Sequence, residues 1–319
     1  MIAVHTFPPL RSAACSIAVA AAIGVTPMAV SAQEAGSQDA SVTDVAPVTV
    51  EGRRLAEQVR DFVSEVAVAP RGNRLARWDG HLCVGTVNMT PAHAQFMIDR
   101  VAATAVSVGL DSGEPGCRPD ILIIATADAN RLAQDMVRDS PSGFRPSRGG
   151  TDLGRAALRR FQTTDAPVRW WHVSLPVSVD TGEVAVALDG ESVGGEPLMV
   201  GVRDATRLRS NVRDELRRVV IILDVSRIGV IPFGALSDYV AMVALAQIDA
   251  RADVSGYPSV LNLFNDLESG VEPPEGLTDW DRDYLTGLYT ARDDRRRSSQ
   301  QERDIAREML QAPEQDGER

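Results

Sequence analysis

Residues 233–250 read FGALSDYVAMVALAQIDA, and the reading of that stretch decides which fold the chain can adopt. Val240, Ala241, Val243, Ala244 and Leu245 leave almost no polar face, so a helix from Pro232 to Ile248 has to be enclosed by protein on nearly every side. The exceptions are Asp238, Met242 and Asp249, whose steps of four and seven residues place them along one line of that helix. A zinc-binding helix carries histidines at the four-residue spacing. Here the two positions hold a carboxylate, which suits hard cations, and a thioether, which suits copper(I); together they make no coherent metal site. The stretch therefore predicts a buried helix without metal or cofactor, and Asp238 and Asp249 are its only candidates for acid–base catalysis.

Outward from the helix, VVIILDV (219–225) is the most apolar strand of the chain. The residues before it, ATRLRSNVRDELRR (205–218), read as a helix. Downstream, SVLNLFND (259–266) leads to TDWDRDYLTGLYTARDD (278–294), a helix capped by Thr278. Earlier in the chain the pattern is strand HLCVGTV (81–87), helix TPAHAQFMIDRVAATAVSVG (90–109), strand ILIIAT (121–126) and helix DANRLAQDMVRD (128–139), an α/β unit. TDLGRAALRRFQ (151–162) is a short helix; VRWWHVSLPVSV (168–179) and EVAVAL (183–188) form a hairpin about a DTG turn. EGRRLAEQVRDFVSEVA (51–67) is an amphipathic helix with Leu55, Val59, Phe62, Val63 and Val66 on its apolar stripe.

The succession of apolar strand, buried helix LSDYVAMVALAQ, YPSVLNLFND and GLTDWDRDYLTGLY resembles the C-terminal half of a zincin-like fold, in which metzincin peptidases carry a histidine helix, a methionine turn and a final helix. It resembles more closely a family of exported proteobacterial proteins, some described as lipoproteins, that pair such a helix with an S-I-F-N-D segment and an L-T-x-x-D-x-x-x-L-x-x-L-Y terminus. Ser259, Asn262, Phe264, Asn265 and Asp266 match the first loosely; Leu277, Thr278, Asp281, Leu285, Leu288 and Tyr289 match the second well. The resemblance implies an α+β fold with a zincin-like mixed sheet and packed helices over residues 76–293. No zinc-binding histidine carries over, and Leu261 or Leu263 stands where a turn methionine is expected.

Compartment follows from the termini and the cysteines. Arg11, the apolar SAACSIAVAAAIGV (12–25) and the small residues Val30 and Ala32 compose an export signal over residues 1–32, so the protein is expected in the periplasm. No later segment reaches the roughly 20 apolar residues that a membrane helix needs. Residues 33–50 read as a flexible lead, residues 51–75 carry the amphipathic helix, and residues 294–319 form a charged tail, helical or disordered. Cys83 and Cys117 form an even pair in an oxidising compartment and predict one disulfide that staples the α/β unit.

Composition excludes several chemistries. All 33 basic residues are arginine, which removes Schiff-base lysines and a GK[ST] phosphate loop. A net charge of −11 argues against a nucleic-acid partner. No G-x-S-x-G elbow is present, and His81, His93 and His172 have no ligand spacing. In RWWHVSLPV, strand alternation sends Trp170, His172 and Ser174 to one face, where with Met242 they are candidates for lining a cleft, or else for a covered sheet face. Three readings result: a non-catalytic periplasmic adaptor that binds a protein or peptide segment or an envelope component, a hydrolase using Asp238 and Asp249, and a structural envelope module. An open sheet edge is the easiest place for the first to bind.

Overall fold

The computed structural model describes residues 46–146, 151–187, 198–201 and 209–316; the expected export signal and residues 33–45 of the lead lie outside them. Along the chain run helix α1 (Ala46–Val66), strands β1 (His81–Leu82) and β2 (Val84–Val87), helix α2 (Pro91–Ser107), and strands β3 (Asp111–Ser112) and β4 (Ile121–Thr126). Helices α3 (Ala129–Asp139), α4 (Pro141–Phe144) and α5 (Gly154–Thr163) precede strands β5 (Val168–Ser178), β6 (Val186–Ala187), β7 (Leu198–Met199) and β8 (Val212–Asp224). Helix α6 (Phe233–Leu245), a 3-10 turn (Val260–Asn262), α7 (Leu263–Ser269), α8 (Asp279–Thr290) and α9 (Ser298–Asp316) complete it.

The chain is an α+β protein built on a mixed sheet of order β2-β4-β8-β5. The first three strands are parallel and β5 runs antiparallel to β8 at the edge. The apolar run at residues 219–223 is explained by that position: β8 pairs with β4 on one side and β5 on the other, and both faces of the sheet are covered. On one face Ile121, Ile123, Val168, Val219 and Ile221 pack against α1, α2, α6, α8 and α9. On the other, Trp171, Val173, Val220 and Ile222 pack against α3, α4 and α5.

Two N-caps set the helix starts. Thr90 accepts from the His93 amide with Pro91 in the first turn of α2. Thr278 and Asp281 form a capping box at the start of α8. Cys83 and Cys117 form the expected disulfide, with Cα atoms 6.1 Å apart. It ties the residue between β1 and β2 to the loop entering β4.

Three sequence readings are corrected. Residues 212–218 are not helical: they are the first half of β8, which continues past β4 as a two-stranded ribbon with β5, interrupted by a bulge opposite Val173 and Ser174. Alternation there is hidden by charge, because Asp214 and Glu215 are buried in ion pairs with Arg74 and Arg213. Helix α1 starts at Ala46, inside the segment read as lead. The charged tail, read as helical or disordered, contains helix α9, which buries Ile305, Ala306 and Met309 in the larger core cluster. Finally, α6 ends at Leu245 rather than Ile248, because Ala246 turns extended and the Asp249 amide donates to Val66 O at the end of α1.

Candidate functional site

Helix α6 is as enclosed as its composition demands, with every residue from Ala235 to Leu245 buried. Met242 is wholly buried in the core and does not line the groove described below. Asp238 is buried and receives Arg100 Nε, Arg100 Nη2 at 2.7 Å and the Leu277 amide at 2.9 Å. It ties α2 and the start of the final helical segment to α6. Asp249 lies beyond the helix end and is gripped by Arg251 Nη2 at 2.6 Å and by the Arg251 amide. Burial opposes the Asp249 charge, but the Arg251 hydrogen bonds outweigh it and hold the carboxyl below its ordinary pKa. The two aspartates therefore stand on different elements with different arginines, and the paired arrangement that acid–base catalysis requires is not formed.

The three histidines also sit apart. His81 begins β1, His93 meets Phe233 edge-to-face with centroids 4.7 Å apart, and His172 is in β5. Among the described residues no group of three His, Cys, Asp or Glu side chains converges as a metal site would. Arg145 is engaged by Asp152, whose carboxylate also accepts the Gly154 amide.

Trp170 and His172 do fall on one face, as alternation requires, and that face is covered by α6 and the chain beyond it. Trp170 Nε1 donates to Ile248 O at 3.0 Å. His172 Nε2 donates to Val243 O at 2.8 Å, and burial pushes the imidazole pKa down to about 4, so the ring is neutral. Ser174 is buried and does not line the cavity described next.

The cavity is a groove of about 400 Å³ along the outer edge of β5, from Thr164 through His172. One wall is α5, through Leu153, Ala157, Arg160 and Phe161. The other is Tyr239 of α6, residues of the 248–254 segment, and Phe264, Asn265 and Glu268 of α7. Trp170, Tyr239 and Phe264 form a run of edge-to-face rings on that second wall, with centroid separations of 6.2 and 5.1 Å.

The backbone of β5 faces this groove. Asp224 N donates to Pro167 O, and Val179 N donates to Asn211 O, so the odd-numbered residues between them turn their amides and carbonyls toward β8. The even-numbered ones point outward. Three of these are met by the chain itself: Ser174 N donates to Thr151 O, Pro176 O accepts from Ala185 N, and Ser178 N donates to Glu183 O. Among the described residues the outward amides and carbonyls of Val168, Trp170 and His172 have no backbone partner. Beneath them Arg169 is buried, its guanidinium donating to Phe161 O and Thr164 O at the end of α5 and to Asn130 Oδ1. Burial lowers its pKa, and the Asp224 charge opposes that shift without cancelling it.

Sequence reasoning marked Trp170 and His172 but missed Tyr239, Phe264, Glu268 and the α5 wall, which lie on separate elements with no shared motif. No described helix is long and apolar enough to cross a membrane. No protein-family model, curated protein or solved structure matches this chain.

Proposed function

We propose that the protein is a non-catalytic binding or adaptor protein of the periplasm that takes an extended polypeptide segment into the groove beside β5. The observation that carries this reading is the row of outward main-chain groups at Val168, Trp170 and His172, recessed between two walls. Buried backbone groups are almost always paired, so this row calls for an added strand or for ordered water that a strand would displace. Three outward residues span five positions, roughly 13–17 Å of extended chain. At the far end Thr151 already occupies the place of the next strand. The edge of β5 lies between α5 and the 248–254 segment, a setting that suits a slender occupant.

The zincin-like reading of the scaffold is part of the same proposal. Its support is the order of β8, buried α6, the 3-10 turn with α7, and capped α8, with an open strand edge beside the buried helix. The hydrolase alternative has no comparable support, since Asp238 and Asp249 are each committed to an arginine.

The test uses blocked pentapeptides Thr-Val-Xaa-Val-Thr with the centre varied over all residues, followed through tryptophan fluorescence and amide exchange. Binding should protect the amides of Val168, Trp170 and His172 and disappear when alternate peptide nitrogens are methylated. Val168→Pro removes one outward donor while leaving the inward ladder to β8 intact. It should weaken binding about 2- to 13-fold, the range for one hydrogen bond. If no member binds at millimolar concentration, or if binding leaves those three amides unprotected, the proposal fails.

A further inference from the structure

Resting on that reading, we infer that the segment carries a lysine or arginine opposite Trp170. In an added strand, the residue directly across from an edge residue presents its side chain on the same face of the sheet. The residue across from Trp170 therefore points at the wall formed by Trp170, Tyr239 and Phe264. Its neighbours on either side point at the α5 wall of Leu153, Ala157 and Phe161.

The rim charges separate those two directions. Of the charged side chains lining the groove, Asp249 is paired with Arg251 and Asp165 with Arg227. Glu268 and Arg160 are both exposed; Arg160 helps stabilise the Asp249 charge, whereas Glu268 forms no ion pair among the described residues. Glu268 stands one helical turn from Phe264, on the aromatic lip. Arg160 belongs to the opposite lip, on α5. A cationic side chain opposite Trp170 would lay its apolar stem along the rings and bring its charge to the ring faces and then to Glu268. An acidic side chain there would meet an uncompensated carboxylate. The same cation one residue along would meet Arg160. Position and sign are thus specified together.

The experiment compares Thr-Val-Lys-Val-Thr with Thr-Val-Glu-Val-Thr, both blocked, on the full chain and on Glu268→Arg and Glu268→Gln variants. Glu268 is exposed, so neither substitution removes core packing. The wild-type protein should bind the lysine peptide at least about tenfold more tightly, the ratio should shrink in Glu268→Gln, and Glu268→Arg should abolish or invert it. Equal binding of both peptides to the wild type, or a ratio unchanged in Glu268→Arg, overturns this inference and leaves the groove reading standing. Binding of neither peptide, nor of any other centre residue, overturns both.

Discussion

Replacing Asp238 by asparagine separates a structural strut from a catalytic carboxylate. The Asp238 side chain is 1% exposed and that of Arg100 is 47% exposed. Asparagine keeps the shape but presents an amide NH2 to one of the three donors that now converge there, Arg100 Nε, Arg100 Nη2 and the Leu277 amide. Relaxation is limited, because a Cβ at Gly276 would lie 2.2 Å from Asp238 Oδ2, so the chain already approaches as closely as glycine allows. Each charge-assisted bond is worth about 1.5–3 kcal/mol. The half-exposed Arg100 regains hydration once released, and that discount brings the net loss to about 2 kcal/mol. For a chain of this size such a loss lowers Tm by roughly 4–8 °C. Urea unfolding of the wild type, Asp238→Asn, Arg100→Gln and the double variant should give non-additive losses, with coupling above about 1 kcal/mol. Peptide affinity should not change, since Asp238 does not line the groove. Additive losses, or a single-variant cost below about 0.5 kcal/mol, would refute the strut.

Three further outcomes are expected. His172 has its pKa lowered from 6.5 to about 4 in the fold, so its contribution is complete above pH 6.5. It declines as the pH falls toward 4, where the unfolded chain alone takes up the proton, and then levels off. The loss is about 3 kcal/mol, read as the pH-dependent difference in unfolding free energy between wild type and His172→Gln; a flat difference from pH 7 to 4 would contradict a neutral, buried ring. Reduction of Cys83–Cys117, or its replacement by two alanines, opens a loop with a sequence separation of 34 and should cost about 4 kcal/mol in chemical unfolding. Asp281→Ala leaves Ser259 Oγ and the Val260 amide without their carboxylate acceptor and breaks the cap of α8. Unfolding should become easier by about 3–5 kcal/mol, and an effect within experimental error would show that the loop around Ser259 re-pairs its groups.

The cap at Thr278, the proline-led start of α2 and the disulfide pair depend on neighbours in sequence or on a pair with one possible match, and the structure contains all three. The N-terminal half of β8 was misread because Arg213, Asp214 and Glu215 resemble a solvated helix face until Arg74 and the β5 ribbon are in place. Helix α6 looked three residues longer than it is, because nothing within it stops it; the stop is the end of α1, pairing with Ile248 and Asp249 across the fold.

Local chemistry, carried by each residue and its near neighbours, determined by itself that residues 235–245 would be enclosed, that no histidine pair stood at ligand spacing, and that Trp170 and His172 would share a face. Tertiary structure alone decided that β5 is an edge strand, that α5 and α7 flank it, and that Glu268 and Arg160 belong to opposite lips of the groove. The physical reason is range. Hydrophobic period and capping act over a few residues, whereas an unpaired strand edge is defined by what fails to arrive beside it from elsewhere in the chain.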